Sequence, residues 1–184
     1  SFMKAYLTVK TGRSILEKNI YIDFKSYAFP YINNKNHSEL LQDLYRLAIF
    51  YTDFSLLKES DILLKEAFSS INRLKTDVVF PFLLKLYILY NNNNLEREDF
   101  INIIKLSESY IFRKTICSLG PKAVGSSFIY LLNNIDEDNI YNSIKVIYKK
   151  FTRQKKFPTD KDFIEAFEVK EVYNLETSKV QYLL

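Results

Sequence analysis

Apolar residues recur at helical spacing along most of the chain. Leu40, Leu44, Leu47 and Tyr51 follow an i, i+4, i+7, i+11 pattern, which places them on one face of a helix. This stripe predicts a helix over about residues 38–57. No run of alternating apolar and polar positions is bounded by hairpin-forming turn residues, so no significant sheet is predicted.

Capping and breaking residues mark the ends of further helices. Ser60 and Asp61 suit a helix start, Pro81 suits a first turn, and Thr159 suits another start. The acidic triplet at positions 136–138 suits the positive end of a helix dipole. We therefore predict helices at about residues 60–75, 81–90, 101–119, 122–133, 136–150 and 160–169, and a last segment that begins near residue 175.

These elements predict an all-α fold, an irregular multi-helix bundle of about seven to nine helices. Residues 78–90 are apolar on nearly all sides apart from Lys85, so their helix is expected at the centre of the bundle. Residues 1–184 are expected to form a single helical domain. The four asparagines at 91–94 are the best internal linker, and they leave two subdomains, 1–93 and 94–184, as an open alternative.

Composition removes most enzyme chemistries. With one His and one Cys, the chain cannot assemble a Cys or His zinc site, and its 3 glycines disfavour a glycine-rich phosphate loop. No catalytic residue, metal or cofactor is predicted.

The apolar run at 78–90 is shorter than the ~20 residues of a membrane-spanning helix, so no membrane role is predicted. A single Cys is compatible with a cytoplasmic location, and a start at Ser-Phe-Met rather than Met is expected of either a fragment or a tagged chain.

The clearest charge feature is a basic segment near the C-terminus. The chain carries +4 overall, which is only mildly basic, but positions 145–156 hold six cations and no acid: Lys145, Lys149, Lys150, Arg153, Lys155 and Lys156. On a helical wheel, Lys145, Lys149 and Arg153 lie opposite an apolar face formed by residues 140, 144, 147 and 151. Such a stripe suits contacts with nucleic-acid phosphates, and it equally suits a solvated helix surface.

Three other groups have both a chemical and an ordinary interpretation. His37, in a polar loop, is either a proton carrier or an exposed loop residue. Cys117 follows Arg113 and Lys114, which lower a thiol pKa when they lie nearby, but a Cys is more often buried packing. The acidic triplet at 136–138 is either a cation site or a helix start, and the second interpretation is favoured in each case.

Several stretches resemble the GmrSD-like modification-dependent restriction endonucleases, and they occur in that family's order. They are residues 6–13 (YLTVKTGR), 20–25 (IYIDFK), 108–117 (ESYIFRKTIC), 157–163 (FPTDKDF) and 180–184 (VQYLL). The chain is similar to the helical middle of these proteins, between an N-terminal ParB-type nuclease domain and a C-terminal HNH nuclease domain. Neither the Asp-Gly-Gln-Gln-Arg motif nor an HNH setting for the single His is present, so no catalytic residue carries over.

The resemblance implies a non-catalytic linker that positions two flanking nuclease domains of the same polypeptide in defence against foreign modified DNA. It also implies contacts with the DNA backbone. Arg113 lies in the segment that best matches the family's Arg-bearing helix, where it either forms a structural salt bridge, the favoured interpretation, or faces DNA. The alternative function is a helical protein-interaction adaptor that has no nucleic-acid role.

Overall fold

A computed structural model of the chain describes residues 1–169, and these residues form helices and their connections, with no strand among them. The all-α prediction is confirmed. The nine α-helices of this part are α1 (Phe2–Thr11), α2 (Ile20–Asn33), α3 (His37–Ser55), α4 (Ile62–Arg73), α5 (Phe80–Asn91), α6 (Arg97–Ile116), α7 (Pro121–Asn134), α8 (Ile140–Lys150) and α9 (Asp160–Glu168). Short 3₁₀ turns occupy Glu17–Asn19 and Arg153–Lys155. The segment predicted near residue 175 and the stretch at 180–184 lie outside the described residues.

Local capping chemistry sets several helix ends. Asp61 is the N-cap of α4 and accepts a hydrogen bond from the Leu64 amide at 3.1 Å. Thr159 and Asp162 form a reciprocal capping box at the start of α9. The acidic triplet at 136–138, in contrast, precedes α8 rather than opening it. The Asp136 carboxylate accepts a hydrogen bond from the Asp138 amide, which closes a turn before the helix begins.

Helix α5 lies at the centre of the bundle, as its apolar sequence predicts. It packs against α1, α3, α6 and α7, and Leu83, Leu84 and Leu86 are fully buried. Lys85, its one charged residue, is half-buried, and its ammonium group lies 2.6 Å from the Glu137 carboxylate. The helix is therefore apolar on almost every side because almost every side contacts another helix.

The helices on the two sides of the asparagine stretch pack on each other. Helix α4 lies against α6, and the rings of Phe68 and Phe100 meet edge to face with centroids 5.7 Å apart. One core of buried residues extends from Ala5 to Phe151. Among the helices of residues 1–169, none is both long enough and apolar enough to cross a membrane.

Candidate nucleic-acid interface

The basic segment is divided between two elements rather than lying on one helix. Helix α8 ends at Lys150, Phe151 takes up an extended conformation, and Arg153 lies in a separate 3₁₀ turn. The wheel that placed Arg153 on the same helix face as Lys145 is therefore wrong beyond Lys150. The physical reason is tertiary, because side chains of α6 bind the Gln154 and Lys155 carbonyl oxygens. The Phe151 ring is buried beside Tyr148, with ring centroids 5.8 Å apart.

Side chains of α6 hold the chain that follows α8. Three of them donate hydrogen bonds to main-chain carbonyl oxygens of this connection: Tyr110 to Lys155 at 3.0 Å, Arg113 to Pro158 at 3.2 Å, and Lys114 to Gln154. Because each bond fixes a backbone position rather than a mobile side-chain tip, the segment from Gln154 to Pro158 has a defined course over α6.

A groove of about 700 Å³ opens between α6, α8 and this connection. We call it the α6–α8 groove. Its charged lining consists of four cations and one carboxylate: Arg113, Lys145, Lys149, Lys156 and Asp160. Its apolar and aromatic lining consists of Leu106, Tyr148, Phe151, Phe157 and Pro158. The groove thus combines an excess of positive charge with an apolar and aromatic lining.

Two of the four cations are neutralised by nearby carboxylates. Arg113 lies 2.6 Å from Asp160, and its guanidinium also lies over the Phe163 ring, 5.4 Å from the centroid. Lys156 lies 2.7 Å from Asp162. Hydrogen bonds to Asp162, the one from Lys156 first and then those from Thr159, hold the pKa of this carboxylate well below its usual range, so it is ionised at neutral pH.

The other two cations of the groove are not neutralised by any carboxylate of residues 1–169. Lys145 and Lys149, one turn apart on α8, take part in no ion pair with any of residues 1–169. The Lys145 ammonium group lies 4.9 Å from the centroid of the Tyr141 ring, a contact that orients it without neutralising it. An anion that enters the groove would therefore meet two available ammonium groups.

The remaining predicted cations lie outside the groove. Lys150 and Arg153 are exposed to solvent and do not contribute to its lining. Lys155 is half-buried, with its ammonium group 5.2 Å from the centroid of the Tyr130 ring. The structure thus brings together Lys145, Lys149 and Lys156 from the predicted set, and adds Arg113 to them.

The other sequence candidates lie away from any assembled chemistry. His37 is exposed at the start of α3. Cys117 is half-buried, with its sulfur 3.6 Å from the Asp162 carbonyl oxygen, and burial together with the Asp162 charge raises the pKa of its thiol. The thiol is therefore not activated, despite the cations beside it in sequence. Within residues 1–169, no group of His, Cys, Asp and Glu side chains is arranged to hold a metal ion.

Lys114 is an anchoring residue that the sequence reasoning missed. Its side chain is 1% exposed, and its ammonium group lies 5.7 Å from the centroid of the Tyr110 ring in addition to its bond to Gln154. Burial lowers the pKa of Lys114. A signal was present in the sequence, because Ser107, Tyr110 and Lys114 follow an i, i+3, i+7 spacing and so share the buried face of α6.

Comparisons with protein-family models, with curated proteins and with solved structures each find no match to this chain.

Proposed function

We propose that the chain is a non-catalytic helical domain that contacts nucleic-acid phosphates through the α6–α8 groove. In this proposal it links and positions the flanking nuclease domains of a GmrSD-like restriction enzyme that acts against foreign modified DNA. The observation that carries the DNA-facing role is the pair of ammonium groups on Lys145 and Lys149, which lack carboxylate partners among residues 1–169 and border one groove.

The charge arrangement favours phosphate binding on physical grounds. Each phosphate that a lysine neutralises releases condensed counterions, so affinity arises without any contact with a base edge. The hydrogen bonds from α6 add preorganisation, because the connection that carries Lys156 does not have to be ordered when a ligand binds. Binding of this kind is weak and insensitive to sequence, with dissociation constants of about 10⁻⁴ to 10⁻⁶ M at physiological salt.

Two of the stretches that resemble the restriction enzymes contact each other at this groove. Arg113, from residues 108–117, binds both Pro158 and Asp160 from residues 157–163. The rings of Phe112 and Phe163, from the same two stretches, lie with centroids 5.9 Å apart. This pairing supports the proposal, because the two stretches that resemble the restriction enzymes are far apart in sequence and yet lie together beside the groove.

Fluorescence anisotropy with a labelled duplex at low salt tests the proposal. The double variant Lys145→Gln, Lys149→Gln should weaken binding about tenfold or more, because it removes two phosphate contacts. The matched control is Lys25→Gln, Lys65→Gln, which removes the same charge from exposed positions on α2 and α4 and should bind as the parent does. Equal binding by the parent and the groove variant would contradict the proposal.

An adaptor function is the second candidate, and a separate surface favours it. Helices α2 and α3 expose large apolar side chains, among them Phe29 at 64%, Leu41 at 64% and Tyr45 at 71%. If the face of α3 that carries Leu41 and Tyr45 binds a second copy of the chain, light scattering should show a mass that rises with concentration, and Tyr45→Ser should keep the protein monomeric. A chain that binds no duplex at low salt and self-associates through this face would be an adaptor instead.

A further inference from the structure

The α6–α8 groove is open to solvent, and apolar and aromatic side chains lie beside the cations of its lining. Its volume of about 700 Å³ falls within the ~300–1,000 Å³ of typical small-ligand sites. Contacts with a duplex backbone would use only its cations. The apolar and aromatic side chains between those cations would then have no role in binding.

Phe157 is the aromatic residue best placed to meet a planar ligand. Its side chain is half-buried and lines the groove, and its ring centroid lies 5.3 Å from those of Tyr110 and Tyr148. Hydrogen bonds fix the main chain on both sides of it, at Lys155 and at Pro158. The ring is therefore held in place before a ligand arrives, and the part of it that its neighbours leave uncovered borders the groove.

A nucleotide outside a base pair offers both kinds of contact at once. Its base has an open π-face that stacks on aromatic side chains, and its phosphate binds ammonium groups. In a duplex the same π-faces are covered by neighbouring base pairs. Phe157, Lys145 and Lys149 line the same groove, and this combination matches an unpaired nucleotide better than it matches an intact duplex.

We infer that the α6–α8 groove binds an unpaired nucleotide, with its base against Phe157 and its phosphate between Lys145 and Lys149. This inference rests on the proposed function, because it requires that the groove lysines contact phosphates. It goes further by assigning the apolar side of the groove to a base. The nucleotide is either free in solution or part of a single strand, and the chemistry of recognition is the same in both.

The test compares an oligothymidylate single strand with a duplex of equal length, using the 184-residue chain and fluorescence anisotropy at one ionic strength. The parent should bind the single strand about tenfold more tightly than the duplex, since only the single strand can stack. Phe157→Leu should remove this preference and leave duplex binding unchanged. Phe157→Tyr, which retains an aromatic ring, should preserve the preference.

The two proposals fail in different ways. If Lys145→Gln, Lys149→Gln weakens both ligands while the parent shows no single-strand preference, the nucleotide inference is wrong and the proposed function stands. If the parent binds neither ligand at low salt, both are wrong. Thymidine monophosphate distinguishes the two sources, because displacement of the strand at micromolar concentrations would identify a free nucleotide and no displacement would identify a strand.

A second measurement needs no variant and so does not depend on how Phe157→Leu folds. A single strand that contains 5-iodouracil forms photocrosslinks with aromatic side chains that stack on it. After irradiation with the parent protein, mass spectrometry should place the crosslink at Phe157. Crosslinks confined to peptides outside the groove would overturn the inference.

Discussion

The guanidinium group of Arg113 lies 2.6 Å from the carboxylate of Asp160, which ties the C-terminal half of α6 to the first residue of α9. The same guanidinium donates a hydrogen bond to the Pro158 carbonyl oxygen and lies over the Phe163 ring. One side chain thus makes three different contacts with a segment more than forty residues later in the chain. Arg113 therefore both lines the groove and fixes the position of the residues opposite it, Pro158 and Asp160.

Arg113→Ala should lower the free energy of unfolding by about 1–3 kcal/mol, since it leaves a main-chain carbonyl without its donor as well as removing an ion pair. Urea denaturation measures this change. Asp160→Asn is the comparison, because the Asp160 side chain is 83% exposed and a surface ion pair contributes only about 0–1 kcal/mol. Equal losses in the two variants would show that the ion pair, and not the carbonyl bond, holds the segment.

The central position of α5 predicts a severe effect for a charge at Leu86. This side chain is 0% exposed, and an unpaired buried carboxylate costs several kcal/mol, comparable with a total stability of roughly 5–15 kcal/mol. Leu86→Asp should therefore unfold the domain, as measured by far-ultraviolet circular dichroism. The matched control Leu41→Asp introduces the same charge at an exposed position of α3 and should melt close to the parent temperature.

Helices α5 and α6 show what could and could not be predicted from the sequence. Helical periodicity depends on neighbours within a few residues, so most helices and the central place of α5 could be predicted. On α6, Tyr110 and Lys114 are buried by distant partners, whereas Phe112 and Thr115 are only half-buried. The spacing places Lys114 on the buried face of α6, but it does not reveal the partner forty positions later whose carbonyl oxygen accepts the ammonium proton.

The candidate site was predictable only in part for the same reason. The count of charges identified six cations, three of which line the groove: Lys145, Lys149 and Lys156. The helical wheel placed Arg153 on one face with Lys145 and Lys149, because it continued the helix past Lys150. The helix instead ends at Lys150, and Arg153 lies in a separate 3₁₀ turn. Arg113 joins the groove through contacts across the fold, which the spacing of residues along the chain does not reveal.

A carboxylate at the α3–α5 contact should make the domain more stable as the pH falls. Burial first, and then the charge of Glu59, raises the pKa of Asp53. The Tyr87 hydroxyl donates its single proton mainly to Glu59, and its oxygen also lies 3.4 Å from the Asp53 carboxylate. The folded protein therefore binds this proton more tightly than the unfolded chain, whose Asp pKa is ~3.9. Protonation of Asp53 therefore adds to the free energy of unfolding. This gain grows as the pH falls from neutral through the raised pKa towards ~3.9, and it disappears as the pH rises again.

The measurement is the difference in unfolding free energy between the parent and Asp53→Asn across this pH range. The variant should be the more stable protein at neutral pH, because it lacks the repulsion from Glu59, and the gap should narrow on acidification. A gap that stays constant with pH would show that Asp53 does not titrate in this range.

Asp43 should have the opposite pH dependence. Burial alone would raise the pKa of Asp43, but hydrogen bonds donated by Lys10 and Tyr6 outweigh burial and hold it below its usual range. Its stabilising contribution is therefore complete above the unfolded pKa of ~3.9 and is lost as the pH falls through the lower folded value. Asp43→Asn should be less stable than the parent at neutral pH, and the difference should shrink in thermal melts as the pH falls below ~3.9. If Asp43→Asn were as stable as the parent at neutral pH, the hydrogen bond from Lys10 to Asp43 would contribute nothing to the free energy of unfolding.

The division of the basic segment predicts which lysines govern the salt dependence of DNA binding. Lys145 and Lys149 line the groove, whereas Lys150 and Arg153 are exposed beside it, so two double variants to Gln remove equal charge from neighbouring places. The slope of log affinity against log salt falls by about 0.9 for each phosphate that the protein no longer neutralises, so the groove pair should reduce it by about 1.8. The outer pair should leave it nearly unchanged, and neither variant should shift the melting temperature much because none of these side chains is buried. Equal reductions of slope in the two variants would mean that the segment acts as a diffuse positive surface, and the groove would then have no special place in binding.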